Sequence, residues 1–380
     1  MLQVHEIDDD RRLGELTPEW DDLLGRCSHA GIFQTPEWLL TCRRFFGRGS
    51  RLTALAVRDG ERLVGLAPLE IARMYGSPLR RLRFIGTGRS DYLDIIADDR
   101  SNEDVLQAIF TWLTEHQSRW DVIDLQEIPE DECGSMGVWG YGCPGTPIPP
   151  HSHTPTLSHS LLPQELCPYM PLAPTWEETI AGIGKKTRYN LGYYERLMRR
   201  RFEVEIGLLD SGQLNEGLEA LFRLHTERWK KRWLPGVLSG DHTRAFHREL
   251  ASRFLERGRL RFHALRLDGE IKAVLYCLAY KSRTYYYIGG FDPELAKYSL
   301  GTVLTGHAIR HAVEEGCTEF DFLRGDEKYK TLWTDRARMN GRLIIGKRGM
   351  RSAVSSGVCR LEMKIERAAK NWLHHRFSGK

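Results

Sequence analysis

Two distant stretches of the chain share one order of secondary-structure elements. "RLTALAVRDGERLVGLAPLEI" (51–71) and "LRFHALRLDGEIKAVLYCLAY" (260–280) are both rich in strand-forming residues around an Asp-Gly-Glu turn, which is typical of a β-hairpin. Further along, each is followed by a helix-like run (102–117 and 302–315) and then by an apolar strand. Because element order and turn chemistry recur together, the sequence predicts a duplicated mixed α/β unit.

The two copies differ in the residues that come after their last strands. "DVIDLQEI" and "CTEFDFL" carry Asp124 and Asp321 at matching places, but only the second is followed by a dense polar and aromatic cluster, "RGDEKYKTLW" (324–333). We therefore expect an active centre in the second copy, with the first copy shaping a cleft between the lobes. Asp321 either anchors a neighbouring cation or works in that cleft, because a buried acid is costly unless it is paired.

Proline marks the boundary between the copies. Nine of the 16 prolines fall between Pro144 and Pro174, where they fix φ and remove hydrogen-bond donors, so we expect an extended surface connector without helix or central strand. The predicted division is an N-terminal lobe (1–143), a Pro-rich linker (144–174), a C-terminal lobe (175–348) and a C-terminal helix (349–380). That helix carries Leu361, Ile365, Ala368 or Ala369, and Trp372 at helical spacing, and we expect this stripe to pack on the lobe or on a second subunit.

Composition limits the function classes. A net charge of +4 with 28% charged residues describes an ordinary globular protein and gives no sign of DNA binding. The eight cysteines show no CxxC motif and no metal-like pairing with histidine, so no metal site is expected, and His307 and His311 are interpreted as structural. No signal peptide and no run of 18 apolar residues is found, which predicts a cytoplasmic protein without an integral membrane segment.

The start of the predicted helix from Gly301 is a candidate anion site. Free backbone N–H groups and the positive end of the helix dipole meet there, although Ser299 could equally be a simple N-cap. The basic stretch "KKTRYNLGYYERLMRRR" (185–201) could also hold an anion, or form a solvated helix face.

The second copy resembles a known family. Two near-continuous apolar strands (271–280 and 283–292), a loop leading into a helix, and "FDFLRGDEKYKTLW" (320–333) followed by "NGRLIIG" (340–346) occur in one order. This segment is similar to the GNAT acyltransferase superfamily, and most of all to its CelD-type branch (named for cellulose-biosynthesis proteins), related to the Fem peptidyltransferases. Those relatives are built from tandem GNAT units, so the resemblance implies an α/β fold of two GNAT-like units, each a mixed sheet flanked by helices.

The resemblance implies three sets of site residues. The catalytic set comprises Asp321, Asp326, Glu327, Tyr329 and Lys330. The set expected to bind an acyl-CoA cofactor comprises Lys297, Tyr298, Ser299, Leu300, Gly301 and Thr302, although only Gly301 matches the family's Gln/Arg-x-x-Gly-x-Gly/Ala pattern. The substrate cleft is expected to include Tyr285, Tyr287, Trp333, Arg188 and Trp229.

An acyl transfer to an amine suggests roles for these groups. Asp326 or Glu327 would assist deprotonation of the amine, Lys330 would neutralise charge on the carbonyl oxygen, and Tyr329 would protonate a leaving thiolate. Alternatively, the acids and lysines of this cluster pair as surface ions, and Trp333 belongs to the core.

Three functions remain open at this point. The first is an N-acyltransferase that uses acyl-CoA, with acetyl-CoA as the leading donor, and acylates a small molecule or an envelope-polysaccharide precursor. The second is a Fem-like transferase that uses aminoacyl-tRNA, so that tRNA would be a partner. The third is a non-catalytic partner in exopolysaccharide assembly. For each of these functions, the C-terminal helix is the element through which the chain would oligomerise.

Overall fold

The computed structural model describes residues 2–129, 157–230, 236 and 238–377, apart from the side chains of residues 228–230 and 370–377. As far as residue 129, the elements are β1 (Gln3–Ile7), α1 (Asp10–Glu15), α2 (Thr17–Gly25), α3 (Pro36–Phe46), β2 (Ser50–Leu52), β3 (Ala54–Asp59), β4 (Arg62–Ala67), β5 (Leu69–Arg73), β6 (Arg80–Phe84), β7 (Ile96–Ala97), α4 (Asn102–Glu115) and β8 (Val122–Pro129).

From residue 157 onward the elements are β9 (Leu157–Pro171), α5 (Trp176–Ala181), α6 (Lys185–Arg199), β10 (Val204–Leu208), α7 (Leu214–Lys230), α8 (Asp241–Glu256), β11 (Leu260–Leu267), β12 (Glu270–Tyr280), β13 (Arg283–Phe291), α9 (Leu300–Glu314), β14 (Glu319–Asp321), β15 (Ala337–Lys347) and α10 (Met350–Phe377). Within the described part, no helix combines the length and apolar character needed to cross a bilayer.

The chain forms two compact units. Unit 1 comprises Met1–Glu165 and Met339–Lys380, and unit 2 comprises Leu166–Arg338. Unit 1 has a four-stranded sheet in the order β1-β3-β4-β7 and a set of paired strands in the order β15-β8-β6-β5-β2. Unit 2 has the order β10-β11-β12-β13-β14-β9. In both units antiparallel hairpins accompany one parallel pair, β6 with β8 and β13 with β14, so the predicted mixed α/β fold is confirmed.

Both Asp-Gly turns form the predicted hairpins. In unit 2, Asp268 and Gly269 have φ angles of 50° and 82°, which is the conformation required at both central positions of a type I′ turn. In unit 1, Asp59 pairs with Arg62, so the two loop residues are Gly60 and Glu61. The Asp-Gly motif therefore occupies both loop positions in unit 2, whereas in unit 1 the loop begins one residue later, at the glycine. The pairing of the strands, and not the motif, sets the position of the loop.

The core of unit 2 lies between its sheet and α9. The predicted apolar face of this helix is confirmed, since Leu304, Ala308 and Ala312 are at most 2% exposed and pack in one cluster with Leu275 and Cys277 of β12. Tyr276 of β12 instead packs against aromatic side chains of β11 and α8. Alternation along the strand thus gives the sheet one face toward α9 and one toward α8.

The Pro-rich segment differs from the prediction. Residues 144–156 lie outside the described part. Residues 157–171 form β9, which lies inside a sheet, so the prediction that this segment contains no central strand was wrong. The carbonyl of Pro168 accepts a hydrogen bond from Phe322, and the N–H of Tyr169 donates on the other side to Arg336. A proline lacks only the N–H group, so it can still supply an acceptor to a ladder whose neighbouring residues supply the donors.

The C-terminal helix packs through a different face from the one expected. In α10 the buried side chains include Ser352, Ser355 and Cys359. Leu361 and Ile365 are 55% and 59% exposed, so these two members of the predicted stripe do not pack on the described part of the unit. The alternative of packing on a second subunit stays a prediction, and the side chain of Trp372 lies outside the described part.

Candidate active site

Unit 2 contains a partly enclosed cavity beside the start of α9. Its volume is about 290 Å³. The lining residues come from β13, from the turn before α9, from α9 itself and from the segment after β14: Tyr286, Phe291, Ala296, Ser299, Leu300, Gly301, Thr302, Thr305, Tyr329 and Trp333. Four of these ten residues are aromatic. Neither a carboxylate nor an imidazole is among the lining residues.

Backbone donors line one side of this cavity. Ser299 adopts the left-handed conformation (φ 47°, ψ 46°) at the N-cap of α9, and its carbonyl accepts from the N–H groups of Thr302 and Val303. Within the described part, the N–H groups of Leu300 and Gly301 have no acceptor, and both residues line the cavity. The first turn of α9 carries no acidic residue. This end of the helix is therefore suited to an anion.

Four of the six predicted cofactor-binding residues lie at the cavity, namely Ser299, Leu300, Gly301 and Thr302. The other two do not. Lys297 is exposed, with its ammonium 5.0 Å from the ring centroid of Tyr298, and Tyr298 is 3% exposed against Phe202. The N–H of Ser299 donates to the carbonyl of Ala296 at 3.0 Å, which closes a single 3-10 turn and brings these two residues to the cavity together.

Lys330 has a different position from the one expected. It is 2% exposed, and its ammonium donates to the carbonyls of Leu323, Arg324 and Gly325 at 3.1, 2.7 and 3.1 Å. The same nitrogen lies 2.9 Å from a carboxylate oxygen of Glu327. An ammonium has three hydrogens, all of which these acceptors occupy, so the structure gives Lys330 the role of holding the loop after β14.

The backbone explains why three carbonyls converge on one ammonium. Leu323 has φ 58° and Gly325 has φ 109°, both in the left-handed region, so the chain coils around the ammonium of Lys330. The N–H of Leu323 is fixed by Asp321, whose Oδ1 accepts it at 2.7 Å. A left-handed leucine is strained, and these contacts hold it in place.

The three predicted acids do not line the cavity. Asp321 is fully buried, and its other oxygen lies 3.7 Å from the guanidinium of Arg338, which is the structural alternative allowed by the sequence. Asp326 is exposed, and Glu327 is exposed and paired with Lys330. The cluster after β14 is therefore largely a set of contacts that shape the loop.

Two members of this cluster do reach the cavity. Tyr329 and Trp333 both line it, and the ring of Tyr329 lies 5.8 Å from the ring of Tyr286. Trp333 is 4% exposed and also packs in the core of unit 2. Tyr329 is thus the predicted catalytic residue that the structure places at the cavity.

Tyr286 was missed by the sequence reasoning, which assigned Tyr285 and Tyr287 to the cleft. Tyr285 is 2% exposed, and burial raises the pKa of its phenol. Tyr287 packs against His247 and Tyr276 on the α8 side of the sheet. Strand alternation puts Tyr286 on the α9 side, so the signal that could have found it was the face covered by the amphipathic helix.

The remaining predicted cleft residues do not contribute to the cavity. Arg188 on α6 is half-buried and donates to the carbonyl of Ala181 at 3.3 Å, and it is not among the lining residues. The side chain of Trp229 lies outside the described part of the chain.

A glycine makes room for the tyrosine. A Cβ atom at Gly289 would lie 2.4 Å from the hydroxyl oxygen of Tyr286, closer than carbon and oxygen can approach without a bond. The phenol of Tyr286 therefore lies across the backbone of β13. The cavity has two phenol groups, the threonine hydroxyl groups of α9 and two backbone donors available for chemistry.

The sequence of unit 2 is similar to a known domain family. Residues 185–331 match the acetyltransferase (GNAT) domain, and this range lies wholly within unit 2. The match covers less than half of the chain, so the similarity to this domain family concerns unit 2. The cavity of unit 2 lies where β13, α9 and the segment after β14 meet. No curated protein matches the sequence.

Solved structures share the fold along nearly the whole chain. The chain is similar to the crystal structure of FemX, with a TM-score of 0.63 at 13% identity over 90% of this chain and 96% of that one. It is also similar to L-PGS from Bacillus licheniformis, with a TM-score of 0.53 at 12% identity over 92% and 95%. A protein of unknown function from Bacteroides thetaiotaomicron gives a TM-score of 0.55 at 10% identity over 91% and 100%. At these identities the likeness shows the fold alone.

Proposed function

We propose that the GNAT domain transfers an acyl group from a coenzyme A thioester to an amine. The observation that carries this proposal is the cavity of unit 2, because it combines anion-binding backbone donors at one side with phenol groups and an apolar wall at the other. Coenzyme A would supply an activated acyl group as a thioester, with a thiolate as the leaving group.

The first step concerns binding. The N–H groups of Leu300 and Gly301 would donate to phosphate oxygens, and the dipole of α9 adds a favourable field. Gly301 suits this role because its missing side chain lets a ligand approach the backbone, and a Cβ atom there would already lie 3.3 Å from the ring of Phe291. Phe291 and Trp333 supply apolar surface for the acyl arm.

The second step concerns proton transfer. The ammonium loses one proton before the attack, and the amine nitrogen then forms a bond to the acyl carbon. As the carbon–sulfur bond breaks, one proton reaches the thiolate and the nitrogen gives up a second proton, which restores the group that protonated the thiolate. Tyr329 is the candidate acid, because its phenol is at the cavity and such a group can both donate and accept. Since no acid or imidazole is among the lining residues, we propose that the ammonium proton leaves to water.

A charge placed at the start of α9 tests the proposal. Thr302→Asp would put a carboxylate in the first turn of α9. There it would stabilise the helix by about 0.3–1 kcal/mol through its interaction with the helix dipole, but it would repel a phosphate group. We expect full or raised thermal stability together with at least a tenfold loss (about 1.4 kcal/mol) of acetyl-CoA affinity by calorimetry. Thr302→Asn is the matched control and should bind like the wild type. Equal affinity in both variants would show that coenzyme A does not bind at α9.

An aminoacyl-tRNA donor is the second candidate, and α6 favours it. Along one face of this helix, the exposed rings of Tyr189 and Tyr193 stack with centroids 5.9 Å apart among basic residues, including Lys185 and Arg196. Stacked rings beside cations are the usual components of single-stranded nucleic-acid sites. Titration with charged tRNA, uncharged tRNA and acetyl-CoA separates the donors.

The acceptor is an amine, of a small molecule or of an envelope-polysaccharide precursor as in the CelD-type branch. A stable protein that binds neither donor and shows no turnover would instead favour the non-catalytic role. The thermal shift with each ligand distinguishes these outcomes, because only a ligand that binds the folded state raises the melting temperature.

A further inference from the structure

Unit 1 brings together three groups that the sequence keeps apart. Cys27 and His29 lie in the turn after α2, and Asp99 comes after β7. One potential ligand atom from each residue lies within 4.8 Å of the other two. The sequence alone does not reveal this group. A Cys-x-His pair is too short a motif to indicate a metal site, and the third residue, Asp99, lies 70 residues after His29.

The geometry fits a tetrahedral metal ion. The Nδ1 atom of His29 lies 3.7 Å from the sulfur of Cys27 and 3.9 Å from Oδ1 of Asp99. Metal–ligand bonds of about 2.0–2.3 Å at tetrahedral angles separate ligand atoms by roughly 3.3–3.7 Å. The separation of the sulfur from the carboxylate oxygen is at most 4.8 Å, so a contraction of no more than about 1 Å would bring all three ligands to bonding distance of one ion.

The carboxylate is already held in place. Oδ1 of Asp99 accepts from the N–H of Ser28 at 3.0 Å and from its hydroxyl at 3.1 Å, and the N–H of Asp99 donates to the carbonyl of Arg26 at 3.1 Å. Partners of this kind orient a ligand before the metal arrives.

Charge separates this group from a superficially similar one. Asp124, Cys359 and Glu362 also lie close together, but Arg342 and Arg81 already neutralise their carboxylates. Within the described part, no lysine or arginine lies within ion-pair distance of Asp99, whose charged partner is His29. A negative site with a thiol, an imidazole and a carboxylate is a site for a borderline-soft divalent cation.

We propose that Cys27, His29 and Asp99 bind a zinc ion in unit 1, with water as the fourth ligand. Cys27 is fully buried, while the side chains of His29 and Asp99 are 27% and 46% exposed, so the fourth position opens on the solvent side. The bound ion would join the turn after α2 to the segment after β7.

Cobalt substitution tests the site in the full chain. Titration with Co²⁺ should give one equivalent of binding with a thiolate-to-cobalt charge-transfer band and the visible bands of four-coordinate cobalt, and Zn²⁺ should displace it. Cys27→Ser should abolish the charge-transfer band. Cys42→Ser is the matched control, because Cys42 is an equally buried thiol on α3, and it should keep the band. A band retained in Cys27→Ser, or absent from the wild type, overturns the proposal.

Affinity for Zn²⁺ provides a second measurement. Asp99→Asn changes a half-exposed side chain, so the variant should fold, and we expect it to weaken zinc binding at least about tenfold. His29→Ala should do the same or more. Unchanged zinc affinity in both variants, with circular dichroism showing the native fold, would place the ion elsewhere and contradict the proposal.

Discussion

Units 1 and 2 use the same ion pair to fasten a helix to a hairpin. In unit 1, Arg58 of β3 donates to both carboxylate oxygens of Glu19 on α2, at 2.6 and 2.9 Å. In unit 2, Arg266 of β11 donates to both oxygens of Glu216 on α7, at 2.7 Å each. The repeat thus extends to a side-chain contact that the Asp-Gly motif does not contain.

The hairpin turn takes part in the same contact. Arg58 also donates to the carbonyl of Glu61, and Arg266 to the carbonyl of Gly269, each three residues further along. In both hairpins a β-bulge falls beside this arginine. Two copies that keep the same guanidinium contacts at the same bulge support the duplication more strongly than the turn residues do.

The units differ at the start of the helix that comes after their hairpins. The first turn of α4 in unit 1 carries Glu103 and Asp104, whereas the first turn of α9 in unit 2 has no acid and includes Gly301. Carboxylates at a helix N-terminus stabilise the helix and repel other anions. The comparison therefore indicates that, of these two helix ends, the one in unit 2 is better suited to an anion.

Asp124 and Asp321, which take matching places in the two units, show how far the likeness goes. Asp124 of β8 is fully buried and bonds Arg342 through both oxygens, at 2.7 and 2.8 Å, with Arg81 3.5 Å away. Asp321 of β14 has Arg338 at 3.7 Å and the N–H of Leu323. Both acids anchor cations, but the network of unit 1 is tighter.

Removal of these acids should have the largest effect and should rank the units. Asp124→Ala leaves two arginines, Arg342 and Arg81, to share Glu362 as a carboxylate partner, and Arg342 is fully buried. We therefore expect a loss of about 3–5 kcal/mol in the free energy of unfolding of unit 1. Asp321→Ala should cost about 1–3 kcal/mol in unit 2, because Arg338 keeps Glu319 as a partner.

Denaturant unfolding followed by hydrogen exchange measures each unit separately. Equal losses of unfolding free energy in Asp124→Ala and Asp321→Ala would contradict this ranking. They would show that the shorter ion-pair distances around Asp124 do not give it a larger contribution to stability. Asp124→Asn and Asp321→Asn are the conservative controls, since each keeps the side-chain size.

The next prediction concerns Lys330, which has no described counterpart in unit 1. Lys330→Met leaves three carbonyls without their shared donor, and charged hydrogen bonds of this kind contribute about 1.5–3 kcal/mol. We expect that loss of stability in unit 2, together with reduced turnover because Tyr329 and Trp333 depend on the same loop. Lys328→Met, on the exposed side of the loop, should change neither. Normal stability with lost turnover would instead assign Lys330 a direct role in the reaction.

Patterns of strands, turns and helix faces were readable from the sequence. The hairpins around Asp59 and Asp268 and the buried face of α9 follow from periodicity and turn chemistry, which act locally. The placement of Tyr286 was open to the same reasoning, since alternation relative to α9 would have assigned it.

Contacts between distant residues were not readable in this way. The burial of Lys330 depends on left-handed backbone at Leu323, a residue type that gives no local sign of that conformation. Likewise, the prolines of β9 led to the prediction of a connector. The N–H group that a proline lacks is visible in the sequence, whereas the neighbouring residues that supply the hydrogen bonds of the sheet are not. The catalytic roles expected for the acids and Lys330 after β14 differ from the structure for a related reason. A high density of charged residues in a segment does not reveal whether those charges are already paired with one another.

Acidification should affect unit 2 before unit 1. Burial lowers the pKa of His263 in unit 2 to about 3, so between pH 6.5 and 3 the unfolded state binds a proton that the folded state does not. Stability therefore falls as the pH falls, by roughly 1 kcal/mol between pH 6 and 5. In unit 1 burial alone would raise the pKa of Asp121, but hydrogen bonds from Arg80 and Arg351 outweigh it and lower the value to about 2, so its contribution is lost only below about pH 4.

His263→Gln isolates this effect. The variant should lose the slope between pH 6 and 5 in unit 2, while its stability above pH 7.5 should run parallel to that of the wild type. Equal acid sensitivity of the wild type and the variant would show that other groups of unit 2 set the slope.

The smallest effect concerns the ion pair that the two units share. Glu19→Gln and Glu216→Gln keep a hydrogen-bond acceptor for the arginine and remove the charge. Because both glutamates are about half exposed, solvent screens the attraction, and we expect each variant to lose about 0.2–1 kcal/mol. The two losses should agree within error and shrink together at high salt, since the pairs have the same geometry. A large loss in one unit alone would show that the shared ion pair contributes differently to the stability of the two units. Equal geometry within a repeat would then not imply an equal contribution to the free energy of unfolding.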